Sequence, residues 1–145
     1  MRRDLILLIL MLGIASISNL CEASKYVIQP NVRGNWFQAS QICHGNGMKL
    51  ASIESQADHD QLVKEIKDSG YATSDQFWTS GTRLGREDGK FFWMESGRLL
   101  NFSKWRPGEP NNRNEIDVCI FVDAHNGWTD HGCKSKFGVI CEYWF

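Results

Sequence analysis

Five cysteines, Cys21, Cys43, Cys119, Cys133 and Cys141, limit this chain more than any other feature. An odd number suits an exported protein badly, because an orphan thiol in an oxidising compartment is a liability. The N-terminus accounts for the extra one. In "MRRDLILLILMLGIASISNLCEASKY", Arg2 and Arg3 precede an apolar run from Leu5 to about Ile17, and small residues follow. That is the layout of a secretory signal peptide. The run is shorter than the roughly 20 residues of a membrane span, and no second one follows. The expectation is a secreted, extracellular protein with no membrane span after cleavage. A cut after Ala23, with Cys21 and Ala23 at the small-residue positions, makes residues 1–23 the leader and 24–145 the mature domain. It leaves Cys43, Cys119, Cys133 and Cys141, an even set that allows three pairings. A cut after Ser18 would instead keep Cys21 for an intermolecular bond and a covalent dimer.

The mature part is the size of one domain with one core. The formal net charge of −1 and the absence of a basic stripe speak against nucleic acid as a partner. The spacing predicts a strand at "KYVIQ", then a helix capped by Asn35 with Trp36, Ala39 and Cys43 on one face, stopped by Gly45 and Gly47. "MKLASI" reads as a strand. A second helix follows, with Ser55 and Asp58 resembling a capping box, Leu62, Val63 and Ile66 as its buried stripe, and Gly70 at its end. Beyond it, "QFWTSGT", "KFFWMES", "DVCIFV", "GWTD" and "GVICEYWF" are short β-branched or aromatic runs between turn residues. Two helices early and several strands late predict an α+β domain.

The stretch "EPNNRNEIDVC", residues 109–119, gathers Glu109, Glu115 and Asp117 with Asn111, Asn112 and Asn114. From Ser103 to Glu115 almost nothing after Trp105 is apolar, and Pro107 and Pro110 forbid regular pairing. A structureless loop of this length inside a domain is functional or disordered. Its oxygens suit a hard cation such as Ca²⁺, which takes roughly 6–8 oxygen ligands. Glu109 and Asn111 flank Pro110, and a cis bond there would let their side chains converge. His44, His59, His125 and His131 are scattered, with no HExxH or CxxC, so zinc is not expected.

Together "NWFQASQICHGNGMKLASIES", "FWTSGTRLG", "FFWMESGRLLNFSKWRPGEPNN", "DVCIFV", "GWTD" and "GVICEYWF" resemble the C-type lectin domain, in the wording of secreted single-domain members from insects and other arthropods. The resemblance spans nearly all of the mature chain. It implies a C-type lectin-like fold, with two helices packed on short antiparallel sheets and a long irregular ligand loop. It also implies disulfides Cys43–Cys141 and Cys119–Cys133. It implies one Ca²⁺ held by Glu109, Asn111, Asp117 and Asp130, with Glu115 and Thr129 as further candidates, and a sugar bound through the same Glu109, Asn111, Asp117 and Asp130. In that family Glu-Pro-Asn accompanies mannose, glucose, fucose or N-acetylglucosamine, and Gln-Pro-Asp accompanies galactose.

Two positions depart from the family pattern. Asp117 stands where a glutamate is usual, two residues before Cys119, and Thr129 stands where an asparagine precedes Asp130. Leu84 and Asn112 occupy positions where an auxiliary calcium would want carboxylates, although Glu87 and Asp88 are near. Asn126, in "HNGW", is expected to serve a turn. Trp78, Trp93, Trp105 and Trp128 are expected in the core. Asn101 begins "NFS", a glycosylation sequon within a predicted strand.

The functional expectation is a calcium-dependent lectin with mannose-type preference, acting on glycans of cell or microbial surfaces in innate immunity. The alternative is the same fold binding a protein partner, or itself, without calcium. An enzyme built on Glu115 and Asp117 is not expected, because no histidine accompanies a nucleophile and an open loop does not exclude water.

Overall fold

Residues 23–145 are described by a computed structural model, apart from the Asp117 side chain. Residues 1–22 of the expected leader, Cys21 among them, lie outside the described residues. The chain forms β1 (Tyr26–Gly34), α1 (Trp36–Gly45), β2 (Lys49–Leu50), α2 (Gln56–Asp68), β3 (Phe77–Thr82) and β4 (Phe92–Trp93), then a 3₁₀ turn (Arg113–Glu115), β5 (Asp117–Asp123), β6 (Gly127–Gly132) and β7 (Phe137–Glu142).

Neighbouring residues of a strand point to opposite faces, and here both faces are covered. Phe77, Ile120 and Ile140 pack in one cluster with Tyr26, Leu62, Ile66, Trp93 and Trp128. Their neighbours Trp78, Phe121 and Val139 pack in a second, with Trp36, Ala39 and Cys43 of α1. β3 is therefore buried along its whole length, and its polar residues must be satisfied inside. Thr79 Oγ1 donates to the Ile120 carbonyl at 2.9 Å, Thr82 Oγ1 to that of Val118 at 2.8 Å, and Ser80 pairs with Ser52 at 2.7 Å.

The strands form one sheet in the order β1-β7-β3-β5-β6, with β2 beside β7 and β4 beside β3. All pairs are antiparallel except β3 and β7, where Phe77 faces Gly138. That parallel pair departs from the expected antiparallel sheets. It packs closely, since a Cβ on Gly138 would meet the Phe77 ring at 2.5 Å.

Both helix starts are where the sequence places them. Asn35 accepts from Gln38 N–H at 2.9 Å and Gln38 Oε1 accepts from Asn35 N–H at 2.9 Å, a reciprocal box. Ser55 accepts from Asp58 N–H at 3.1 Å, but the Asp58 carboxylate reaches the N–H of Glu54. Val63 is half-buried, so the buried stripe of α2 is Leu62 and Ile66. "MKLASI" shrinks to β2, because the backbone beyond Leu50 is shared between two strands. Ala51 N–H donates to the Ile140 carbonyl at 3.1 Å, and the Ala51 carbonyl accepts from Ser80 N–H at 2.7 Å.

The disulfides are Cys43–Cys141 and Cys119–Cys133, spanning 98 and 14 residues. The first ties α1 to β7. The second joins β5 to the end of β6 beside the long loop. In the chain-entropy picture the long closure stabilises by about 4–5 kcal/mol and the short one by about 3.

Candidate functional site

The residues 104–116 have few apolar side chains of their own, so what fixes this segment is the backbone and side chains of β6. Trp128 N–H donates to the Lys104 carbonyl at 2.8 Å, and Arg106 N–H donates to the Trp128 carbonyl at 2.9 Å. Gly127 makes this approach possible. Its φ is +100° and a Cβ there would sit 2.5 Å from the Lys104 oxygen. Trp128 is buried beneath the segment, edge-on to Trp93, Phe102 and Trp105. Trp105 itself is half-buried, while Trp78, Trp93 and Trp128 are core as expected.

Beyond Arg106 the loop turns at Gly108 and passes through a cis Glu109–Pro110 peptide. The side chains on either side of the proline converge: Asn111 Nδ2 donates to Glu109 Oε1 at 3.0 Å. Asn111 Oδ1 accepts from Arg113 N–H at 2.9 Å. Asp130, 1 % exposed, accepts the Asn111 N–H at 2.9 Å on Oδ1 and the Asn112 N–H at 2.7 Å on Oδ2. A buried carboxylate is thus satisfied by two loop amides. Glu109, Asn111 and Asp130 form one connected group.

The other candidates are placed differently. Thr129 is buried beside Asp130, and its hydroxyl has no hydrogen-bond partner among the described residues. Glu115 is exposed on the 3₁₀ turn at φ +59° and lines a groove with Arg113, Ile116 and Phe37. Asp117 opens β5 opposite Gly132, and its side chain lies outside the described residues. Asn126 donates its backbone N–H and its amide to Asp123, which is the turn role expected of it. Asn101 is exposed in a bend rather than in a strand.

Around the expected auxiliary position, Leu84 is 40 % exposed and Arg83 donates to Asn112 Oδ1. Arg86 holds Asp88, and this pairing pulls the Asp88 carboxyl down to about 2. No motif links Arg83 to Asn112, so this contact is legible only in three dimensions.

The fit to a calcium ion rests on the donor set. Among the described residues no three His, Cys, Asp or Glu side chains converge. A hard cation here would draw on the carboxylates of Glu109 and Asp130, the amide oxygen of Asn111, and carbonyl or water oxygens. Each carboxylate oxygen of Asp130 has capacity beyond the single N–H it accepts. The residues fit one ion.

The histidines have other tasks. His44 meets Glu95 at 3.1 Å and His131 meets Ser135 at 2.9 Å. His59 Nδ1 accepts from Trp128 Nε1 at 3.3 Å. Burial pushes the pKa of His59 below its ordinary value, with Asp60 opposing and Lys104 assisting.

Comparison with known proteins agrees with this architecture. The family model "Lectin C-type domain" matches residues 32–143. The chain is similar to "C-type lectin mosGCTL-7" of Aedes aegypti, 31% identical over 134 residues, covering 87% of each chain. It is 28% identical over 130 residues to "Salivary C-type lectin 1" of Aedes albopictus, covering 84% of each. Among solved structures it resembles the cow CD23 C-type carbohydrate-recognition domain in the presence of a GlcNAc2Man3 oligosaccharide, with TM-score 0.70, 28% identity, and coverage of 83% of this chain and 87% of that one. This family and fold are those of carbohydrate-binding domains and not of enzymes. The chain, with its paired disulfides and its loop held on Asp130, belongs to the C-type lectin domain family.

Proposed function

We propose that this protein is a secreted lectin that binds mannose-type sugars through one Ca²⁺ held by Glu109, Asn111 and Asp130, with Asp117 and Thr129 completing the set. The observation that carries the reading is the meeting of Glu109 and Asn111 side chains across Pro110, on a loop whose amides are fixed by Asp130. When bound, the ion would take two adjacent sugar hydroxyls into its coordination shell. The chain's own residues set the preference. The Glu109 carboxylate only accepts hydrogen bonds, whereas the Asn111 amide offers an oxygen to the metal and N–H donors to the sugar. This Glu-Pro-Asn order supports mannose over galactose.

Export is supported by the leader-like N-terminus and by salivary relatives, and among the described residues no helix is long and apolar enough to cross a membrane. Glycans of cell or microbial surfaces are the fitting partners, in an immune-recognition role. A lone monosaccharide at a Kd near 1 mM gives only about −4 kcal/mol, so several copies would be needed for useful avidity.

The test is the melting temperature of the mature domain against calcium, with and without mannose and chelator. Calcium at a hundredfold its Kd stabilises by about 2.7 kcal/mol, and mannose should add a smaller rise. Absence of any calcium response would end this reading. The second reading, a protein partner bound without calcium, is favoured by Thr129 in place of an amide and by the exposed Phe37, Leu84 and Ile116 along one groove. Binding that survives chelator would select it.

A further inference from the structure

The sequon at Asn101 lies in a part of the fold that the ligand reading does not use. Leu100 N–H donates to the Phe91 carbonyl at 3.1 Å, Phe92 is bridged to Leu99, and Trp105 is bridged to Trp128. Both flanks of residues 101–104 are therefore fixed. Asn101 and Ser103 themselves are exposed. Within a ladder, the segment would have been committed to a neighbouring strand; in this bend Asn101 is exposed.

Beside it runs a groove of about 370 Å³, of the size that holds a small ligand. Phe91, Leu99, Leu100 and Trp105 give it apolar walls, and Asn101 and Pro110 both line it. Phe91 packs against Trp105 at 5.2 Å between ring centroids, and Leu99 is 46 % exposed. Sugar rings carry apolar C–H faces and polar edges, so a ring lying here would cover the apolar walls and keep its hydroxyls in water.

We propose that Asn101 carries an N-linked glycan whose first N-acetylglucosamine rings lie in this groove, so that carbohydrate forms the wall beside Pro110. The inference rests on the proposed function only through export. The co-reactant is a lipid-diphosphate-linked oligosaccharide of the secretory pathway. An N–C bond forms between Asn101 Nδ2 and the anomeric carbon, and the C–O bond to the diphosphate breaks. The diphosphate leaves with the electron pair and an amide proton passes to base, with nothing oxidised or reduced.

The full chain is expressed with its own leader in insect cells, as wild type, Asn101→Gln, Ser103→Ala and Ser103→Thr. Intact mass is read before and after peptide N-glycosidase. Wild type and S103T should carry a glycan mass that the glycosidase removes, and N101Q and S103A should not. Unmodified wild type in the medium would overturn the proposal alone, whereas wild type retained in the cytosol would overturn it together with the secretion reading.

Hydrogen exchange then tests the groove. Residues 89–91 and 99–105 should exchange several-fold faster in N101Q than in glycosylated wild type, and equal rates would overturn the placement. Slowing of these segments by added mannose oligosaccharide in both proteins alike would assign the groove to the ligand, and would also overturn it.

Discussion

Asp130 holds Asn111 by its backbone: Oδ1 accepts the Asn111 N–H at 2.9 Å while Oδ2 accepts that of Asn112 at 2.7 Å. One carboxylate on β6 thereby fixes the amides directly after Pro110. Asp130→Asn replaces one acceptor with a donor and leaves a loop N–H facing an NH₂ group. The expected cost is about 1–3 kcal/mol, read as a fall of several degrees in melting temperature without calcium, together with loss of the calcium response. A melting temperature unchanged in chelator would show that Asp130 does not anchor the loop.

Glu109→Gln with Asn111→Asp exchanges which side of Pro110 carries the charge and which carries the amide. The side chains still meet, as Gln and Asp can repeat the 3.0 Å contact with donor and acceptor reversed. Competition with monosaccharides should show mannose weakened relative to galactose by tenfold or more, about 1.4 kcal/mol. An unchanged ranking would place sugar recognition elsewhere.

Thr129→Asn supplies an amide oxygen and an NH₂ where a buried hydroxyl now lacks a partner. An amide oxygen is the better calcium ligand. The midpoint of a calcium titration should fall several-fold, and mannose binding should strengthen with it. An unaltered midpoint would remove Thr129 from the ligand set.

His59 makes stability depend on pH through Trp128. The neutral ring accepts the Trp128 indole N–H at 3.3 Å; a protonated Nδ1 cannot. Burial, offset by Asp60 and reinforced by Lys104, holds the folded-state pKa below 6.5. The unfolded chain therefore binds the proton first as pH falls, and stability is lost below about pH 6.5 until the folded-state pKa is passed. Between pH 7.5 and 5.5 the wild type should lose more melting temperature than His59→Gln, whose side chain does not titrate. Parallel curves would exclude His59 as the source.

The helices were legible because their signals are local. Asn35 and Ser55 each cap within three residues, and the periodic apolar positions beside them have little choice of face. The loop was legible by composition, and the cis bond before Pro110 only as the condition under which Glu109 and Asn111 would meet. β2 was overread as a longer strand, because Ala51 divides its backbone bonds between β7 and β3, and only packing decides such a division. The parallel pairing of β3 with β7 was hidden for the same reason.

The sequence by itself determined the α+β class, the two caps, the even set of cysteines in the described domain and the oxygen-rich loop. Each of these depends on residues close together in the chain or on a count. The tertiary structure alone decided that Asp130 is the loop's anchor, that Arg83 reaches Asn112, and that Asn101 shares a groove with Pro110. These contacts join residues from 9 to 29 positions apart. Left-handed φ at Asn112 and Asn114 suits asparagine, whereas the same φ at Glu115 is not foretold by its residue type, because its side chain gains nothing local from that backbone.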